Sequence, residues 1–209
     1  NQDNVILFVG ISAIEKGELT EKICNLPWSC VITTSKKVGF GVEFANGRTP
    51  HRYTPFSTLP TNLFSRDNLP IIQLYGVENE VPAELEEIED YLRPSFEKKQ
   101  AEKILGRIMS KMDIRTRMVV IGYDPAKADE IPIETFIFSC QELRGGTIEI
   151  FNSVDCPSEM LKKFAEKNSF VWHDGKLTDA LADFSEEYSL QETIPNDEVN
   201  LFYKGHEPV

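Results

Sequence analysis

The chain has 209 residues, 41% of them hydrophobic and 27% charged, which suits one α/β domain able to bury a core without disulfide or metal staples. Its 22 basic and 34 acidic residues give a net charge of −12, which argues against a nucleic-acid or anionic-membrane surface and leaves only short basic clusters such as Lys36-Lys37 and Lys98-Lys99. Cys24, Cys30, Cys140 and Cys156 form no CxxC pair and have no histidine pair beside them, so no metal is expected, and the apolar surroundings of Cys30 and Cys140 suit reduced thiols of a cytoplasmic protein.

The first stretch, Val5-Ile-Leu-Phe-Val-Gly-Ile-Ser-Ala13, is an apolar run closed by Gly-x-Ser. It reads as the first buried strand of a parallel sheet, turning at Gly10. A turn of this kind aims unpaired backbone N–H groups and the positive end of the following helix at an anion, so the stretch points to a nucleotide-type cleft. Over residues 11–25, Ile14, Leu19 and Ile23 fall at roughly helical spacing, with Ser12 as the cap and Leu26-Pro27 as the break. Residues 28–35 are rich in β-branched side chains and read as a second buried strand, whose closing hydroxyls Thr33, Thr34 and Ser35 face the same cleft as Gly10.

Residues 36–69 are punctuated by Gly39, Gly41, Asn46-Gly47, Pro50, Pro55 and Pro60. Residues 38–44 read as a short strand with a tight turn at Asn46-Gly47, and the remainder as an irregular loop over the cleft. A third strand is expected over 70–76. The acidic residues 78–90 lack calcium-loop spacing and read as a solvated face. From Asp90 to Met112 one apolar stripe predicts a helix, in what reads as a helical insertion over 77–116. Strands are then expected over 117–123, 147–153 and 169–174, and helices over 129–143, over 155–167 behind Asp155 and Pro157, and over 177–188. This alternation predicts an α/β fold with a doubly wound parallel sheet of about six strands over 1–190. Residues 191–209 read as a tail or linker. No run reaches ~18 consecutive apolar residues, so no membrane span is expected. A start without Met just before an apolar strand, and a stop at residues 202–209, suggest one domain of a longer protein.

Four of these stretches, taken in order, resemble the sirtuin-like fold, the NAD-binding Rossmann variant of deacylases and of bacterial NAD-hydrolysing defence domains. Val9-Gly-Ile-Ser-Ala13 is similar to the end of the family's Gly-Ala-Gly-Ile-Ser phosphate loop, and residues 28–35 to its strand ending in Thr-Thr-Asn or Gln-Asn. Ile72-Gln-Leu-Tyr-Gly76 resembles the strand ending in His-Gly. Val119-Val-Ile-Gly122 and residues 148–152 resemble the two late strands that hold the adenosine half.

The resemblance implies NAD or another adenine nucleotide as ligand. It implies phosphate or ribose contacts for Gly10, Ser12, Thr33 and Thr34, and adenosine contacts for Gly122 and Asn152. The departures fall on the chemistry: Phe8 replaces the first glycine of the phosphate loop, Ser35 the Asn, Lys37 the Asp two residues on, and Tyr75 the catalytic His. A phenol with a reference pKa near ~10 is a poor base at neutral pH. His51 is either a replacement imidazole or an ordinary loop histidine. His173 reads as structural, and His206 lies in the tail.

The expected function is therefore a catalytically degenerate, divergent bacterial sirtuin-like domain, serving as a nucleotide-sensing or protein-interaction module of a larger cytoplasmic protein. Its expected partners are other domains of that protein or a second copy. One alternative is a divergent NAD-hydrolysing or deacylase-type enzyme using Tyr75 or His51. The other is a purely structural domain whose cleft is filled by Phe8 and the loop.

Overall fold

A computed structural model describes residues 4–10, 23–65, 67–80, 88–127, 130–151 and 159–174 of the chain. Within them lie seven strands: β1 (Asn4–Val9), β2 (Cys30–Thr33), β3 (Thr49–Tyr53), β4 (Asn68–Gln73), β5 (Thr116–Ile121), β6 (Thr147–Phe151) and β7 (Val171–His173). They form one sheet in the order β3-β4-β2-β1-β5-β6-β7, and every described pairing is parallel. The described α-helices are α1 (Arg93–Met109), α2 (Ile133–Cys140) and α3 (Glu159–Lys167). The fold is thus α/β with a Rossmann-like parallel sheet.

The apolar runs form strands because a parallel sheet is covered on both faces and leaves no side for polar residues. Along β1 the pleat sends Ile6 and Phe8 into one core and Val5, Leu7 and Val9 into the other. The first core is completed by Ile104, Leu105 and Ile108 of α1, Phe136 of α2, and Leu161 and Ala165 of α3. The second is closed by Ile23, Leu26 and Trp28 together with Phe40, Phe44 and Ala45. There the Trp28 indole Nε1–H donates to the carbonyl of Ile23 at 2.7 Å.

Three expectations change. Residues 36–69 are not loop throughout, because β3 pairs with β4 as the outer strand and raises the sheet from about six strands to seven. Pro50 is tolerated there because an edge strand does not use every N–H in a ladder. Residues 38–44 form no strand: they turn into a short 3₁₀ helix, Val42–Phe44, since the four-residue spacing of Phe40 and Phe44 drops both rings onto the second core. Finally, α1 is the crossover from β4 to β5, packed on the central sheet, and not an inserted lobe. Residues 11–22 of the first expected helix, the closing helix over 177–188, the tail, Ser12, Asn152, Asp155, Cys156, Pro157 and His206 lie outside the described residues. No helix among the described residues is long and apolar enough to cross a membrane.

The strand order positions the site. From β1 the chain goes to β2, jumps to the outer strand β3, comes back one place to β4, and then crosses to build β5, β6 and β7 on the other side. The reversal lies between β1 and β5, where open α/β sheets leave a crevice at their carboxyl edge. Val9 pairs with Thr33 on one side and Ile121 on the other, so the next residues, Gly10, Thr34 and Gly122, emerge at one level.

Candidate functional site at the carboxyl edge of the sheet

Gly10 continues the pairing of β1 with β5, its N–H donating to the Ile121 carbonyl at 2.9 Å. A Cβ at Gly10 would lie 2.3 Å from the Gly122 carbonyl oxygen and 2.5 Å from Glu130 Oε1, distances that real Cβ atoms do not adopt. Only glycine allows this approach. Gly122 itself has φ +64°, in the left-handed region that favours glycine, which turns its carbonyl toward Gly10.

The third partner is a side chain without a role in the sequence reading. Glu130 is 2% exposed, and its Oε2 accepts a hydrogen bond from the Thr34 hydroxyl, itself 1% exposed, at 2.7 Å. The carboxylate therefore bridges the ends of β1 and β2 from above. Burying a carboxyl group is unfavourable unless it is hydrogen-bonded, and the Thr34 hydroxyl provides one such bond.

Two phenols hold the segment that carries this carboxylate. The Tyr75 hydroxyl donates to the backbone carbonyl of Glu130 at 3.3 Å, and the Tyr123 hydroxyl donates to that of Ile131 at 2.6 Å. Burial, reinforced by the carboxylates of Glu130 and Glu97, pushes the Tyr75 phenol up to about 12. Burial raises Tyr123 further still. The Lys36 ammonium lies 5.7 Å from the centre of the Tyr75 ring and pairs with Glu97 at 3.5 Å. Tyr75 is thus a fixed hydrogen-bond donor at neutral pH and accepts no proton.

The other sequence candidates fall elsewhere or serve the turn. The Thr33 hydroxyl oxygen accepts from the Ser35 N–H at 3.1 Å, and the Ser35 hydroxyl oxygen accepts from the Lys37 N–H at 3.3 Å. Gln73, fully buried at the end of β4, donates its amide to the carbonyls of Ser35 at 2.9 Å and Lys37 at 3.1 Å. Gln73 was also missed in the sequence, where it sits inside an apolar run. His51 is exposed in the middle of β3, opposite Pro70 and separated from β1 by β4 and β2, so it does not reach the crevice. Phe8 does not fill the cleft. It is fully buried in the first core, its ring edge-on to Tyr123 at 5.4 Å and Phe136 at 5.8 Å.

His173 stacks on Phe151 at 4.2 Å, and its Nε2 lies 3.1 Å from Glu149 Oε2. Glu149 is also held by Arg117, at 2.7 Å through Nε and 2.6 Å through Nη2. This charged ladder spans β5 to β7, on the opposite side of the sheet from Tyr75. A separate hollow of about 440 Å³ between residues 55–58 and α1 is lined by Phe56, Phe96, Lys103 and Arg107 and shares no residue with the crevice cluster.

Among the described residues no group of three His, Cys, Asp or Glu side chains is arranged to hold a metal ion. Burial raises the thiols of Cys24 to about 11 and Cys140 to about 12 and pushes Cys30 up as well, so none of the three offers a thiolate at neutral pH. What the crevice cluster presents is one buried carboxylate, one hydroxyl and two phenolic donors around paired glycines. No family model matches the chain, and no curated protein matches it.

Proposed function

We propose that the chain is a sirtuin-like Rossmann domain without catalytic activity, serving as a nucleotide-sensing or protein-interaction module of a larger cytoplasmic protein. The parallel sheet with β1 at its centre, and the level emergence of Gly10, Thr34 and Gly122 beside the reversal point, support the fold half of this reading.

The loss of catalysis rests on Tyr75. It stands where the resemblance calls for a histidine base, yet it is a phenol pushed up to about 12 and tied through its hydroxyl to the Glu130 carbonyl. General-base catalysis needs a group that exchanges protons near the working pH. Ser35, in place of the family's Asn, has its hydroxyl engaged by the Lys37 N–H. With His51 on the outer strand, neither residue named for the enzyme alternative provides a base.

Two measurements test the reading. Incubation with NAD followed by assay of free nicotinamide is expected to show no release, and release would restore the enzyme alternative. Calorimetry with adenosine, ADP-ribose, NAD and ATP tests sensing. An absence of heat with all four at millimolar concentration would leave protein interaction or a purely structural role.

A further inference from the structure

The hollow of about 440 Å³ beside α1 differs in chemistry from the rest of this acidic chain. Phe96, Gln100, Lys103 and Arg107 follow one another at helical spacing, which brings all four side chains onto one face of α1. Facing them is the turn after β3, where the Thr54 N–H donates to the Ser57 hydroxyl oxygen at 2.9 Å and the Ser57 N–H donates to the Thr54 carbonyl at 3.0 Å. The Phe56 ring of that turn lies nearly parallel to the Phe96 ring, with 14° between planes and 6.3 Å between centres. Ile104, 2% exposed, ties the same face of α1 to the first core.

We propose that this hollow binds a small aromatic phosphate monoester, its ring against Phe56 and Phe96 and its phosphate at Lys103 and Arg107. The site shares no residue with the cluster at the sheet edge, so it stands whether or not the crevice takes a nucleotide.

Charge is the first support. The chain has 34 acidic residues against 22 basic ones, yet the hollow is lined by two cations and by no carboxylate. Lys103 and Arg107 are exposed like charges one helical turn apart, an arrangement that by itself weakens a helix. Among the described residues neither has a carboxylate within ion-pair distance. Two neighbouring cations match the double charge of a phosphate monoester, and the arginine offers its oxygens a planar fork of donors.

Shape is the second. Sites for small molecules run from about 300 to 1,000 Å³ and are largely formed before the ligand arrives, with mostly apolar walls and a few polar groups that fix orientation. Here the turn is closed by its own hydrogen bonds, the two phenylalanines form an apolar wall for a ring, and the cations stand beside it. The adjoining hollow of about 320 Å³, which Lys103 and Arg107 also border, is lined by Glu102 and Glu142 and is the poorer place for an anion.

The test is calorimetric titration of the chain with phenyl phosphate, inorganic phosphate and phenol, repeated on Arg107→Gln, on Lys103→Gln combined with Arg107→Gln, and on Phe96→Leu, with a melting curve for each. Both cations are exposed, so the glutamine variants are expected to fold, and they carry the test if Phe96→Leu does not. The expected result is phenyl phosphate bound at least about tenfold tighter than either fragment, weakened at least about tenfold in the double variant and about threefold in Phe96→Leu. Phenyl phosphate that gives no heat at millimolar concentration, or that binds the double variant as tightly as wild type, would overturn the proposal. Inorganic phosphate bound as tightly as phenyl phosphate would overturn it too, because the rings would then contribute nothing.

Discussion

Gly10→Ala probes the contact on which the site is built. The new methyl group would start 2.3 Å from the Gly122 carbonyl oxygen and 2.5 Å from Glu130 Oε1, and the nearer neighbour is backbone held by strand pairing. A flexible side-chain end could swing aside, whereas the carbonyl moves only if β1 and β5 separate at their carboxyl ends. Overpacking of this kind costs about 1–3 kcal/mol and more where backbone must shift, so ~3 kcal/mol is the expected loss. For a chain of this size that corresponds to a melting temperature lower by roughly 6–12 °C. Differential scanning calorimetry of Gly10→Ala, Glu130→Ala and the double variant separates the two contacts. The double variant should regain only part of the loss, because the clash with Gly122 remains. A Gly10→Ala protein that melts within about 1 °C of wild type would refute the close approach of β1 and β5 at this level.

Other outcomes follow from the same contacts. Thr34→Val keeps the side-chain shape but removes the donor from a buried carboxylate, so urea denaturation should show a loss of about 1.5–3 kcal/mol. Tyr75 is raised from 10.0 to about 12 in the folded chain, which means that the native state holds this proton more tightly than the unfolded state. Its contribution is complete below the unfolded value and declines as pH rises from there toward the folded one; Tyr75→Phe should flatten that decline in melts recorded across the alkaline range. Phe8→Ala should cost about 3–5 kcal/mol as a core cavity and bring no gain in ADP-ribose binding, whereas a cleft-filling Phe8 would give the reverse.

The central strands were readable because β1, β2, β4 and β5 are buried on both faces and carry apolar runs, and β6 is broken only by Glu149. The same property hid the direction of Phe8. In a run without polar residues the pleat leaves no alternation, so nothing in the sequence says which side chains face α2 and which face Phe40. The outer strand β3 was concealed by its position, since Thr49, His51 and Arg52 are exposed and Pro50 reads as a breaker.

Gly10, Thr34 and Gly122 were legible as strand ends, and their register brings them together. Glu130 was not. A single carboxylate in a polar connection has no periodicity to mark it, and its burial is decided by Thr34 and Gly10, both far away in sequence. The only available signal was positional: the connection from β5 into α2 must pass over the crevice, so a charge just before Ile131-Pro132 lies near it.

The proposal that this sheet edge carries no NAD chemistry is tested most directly by quantifying free nicotinamide after prolonged incubation of the purified chain with NAD. The account predicts none above the buffer control, for wild type and Tyr75→Phe alike. Steady release by wild type that disappears in Tyr75→Phe would contradict it.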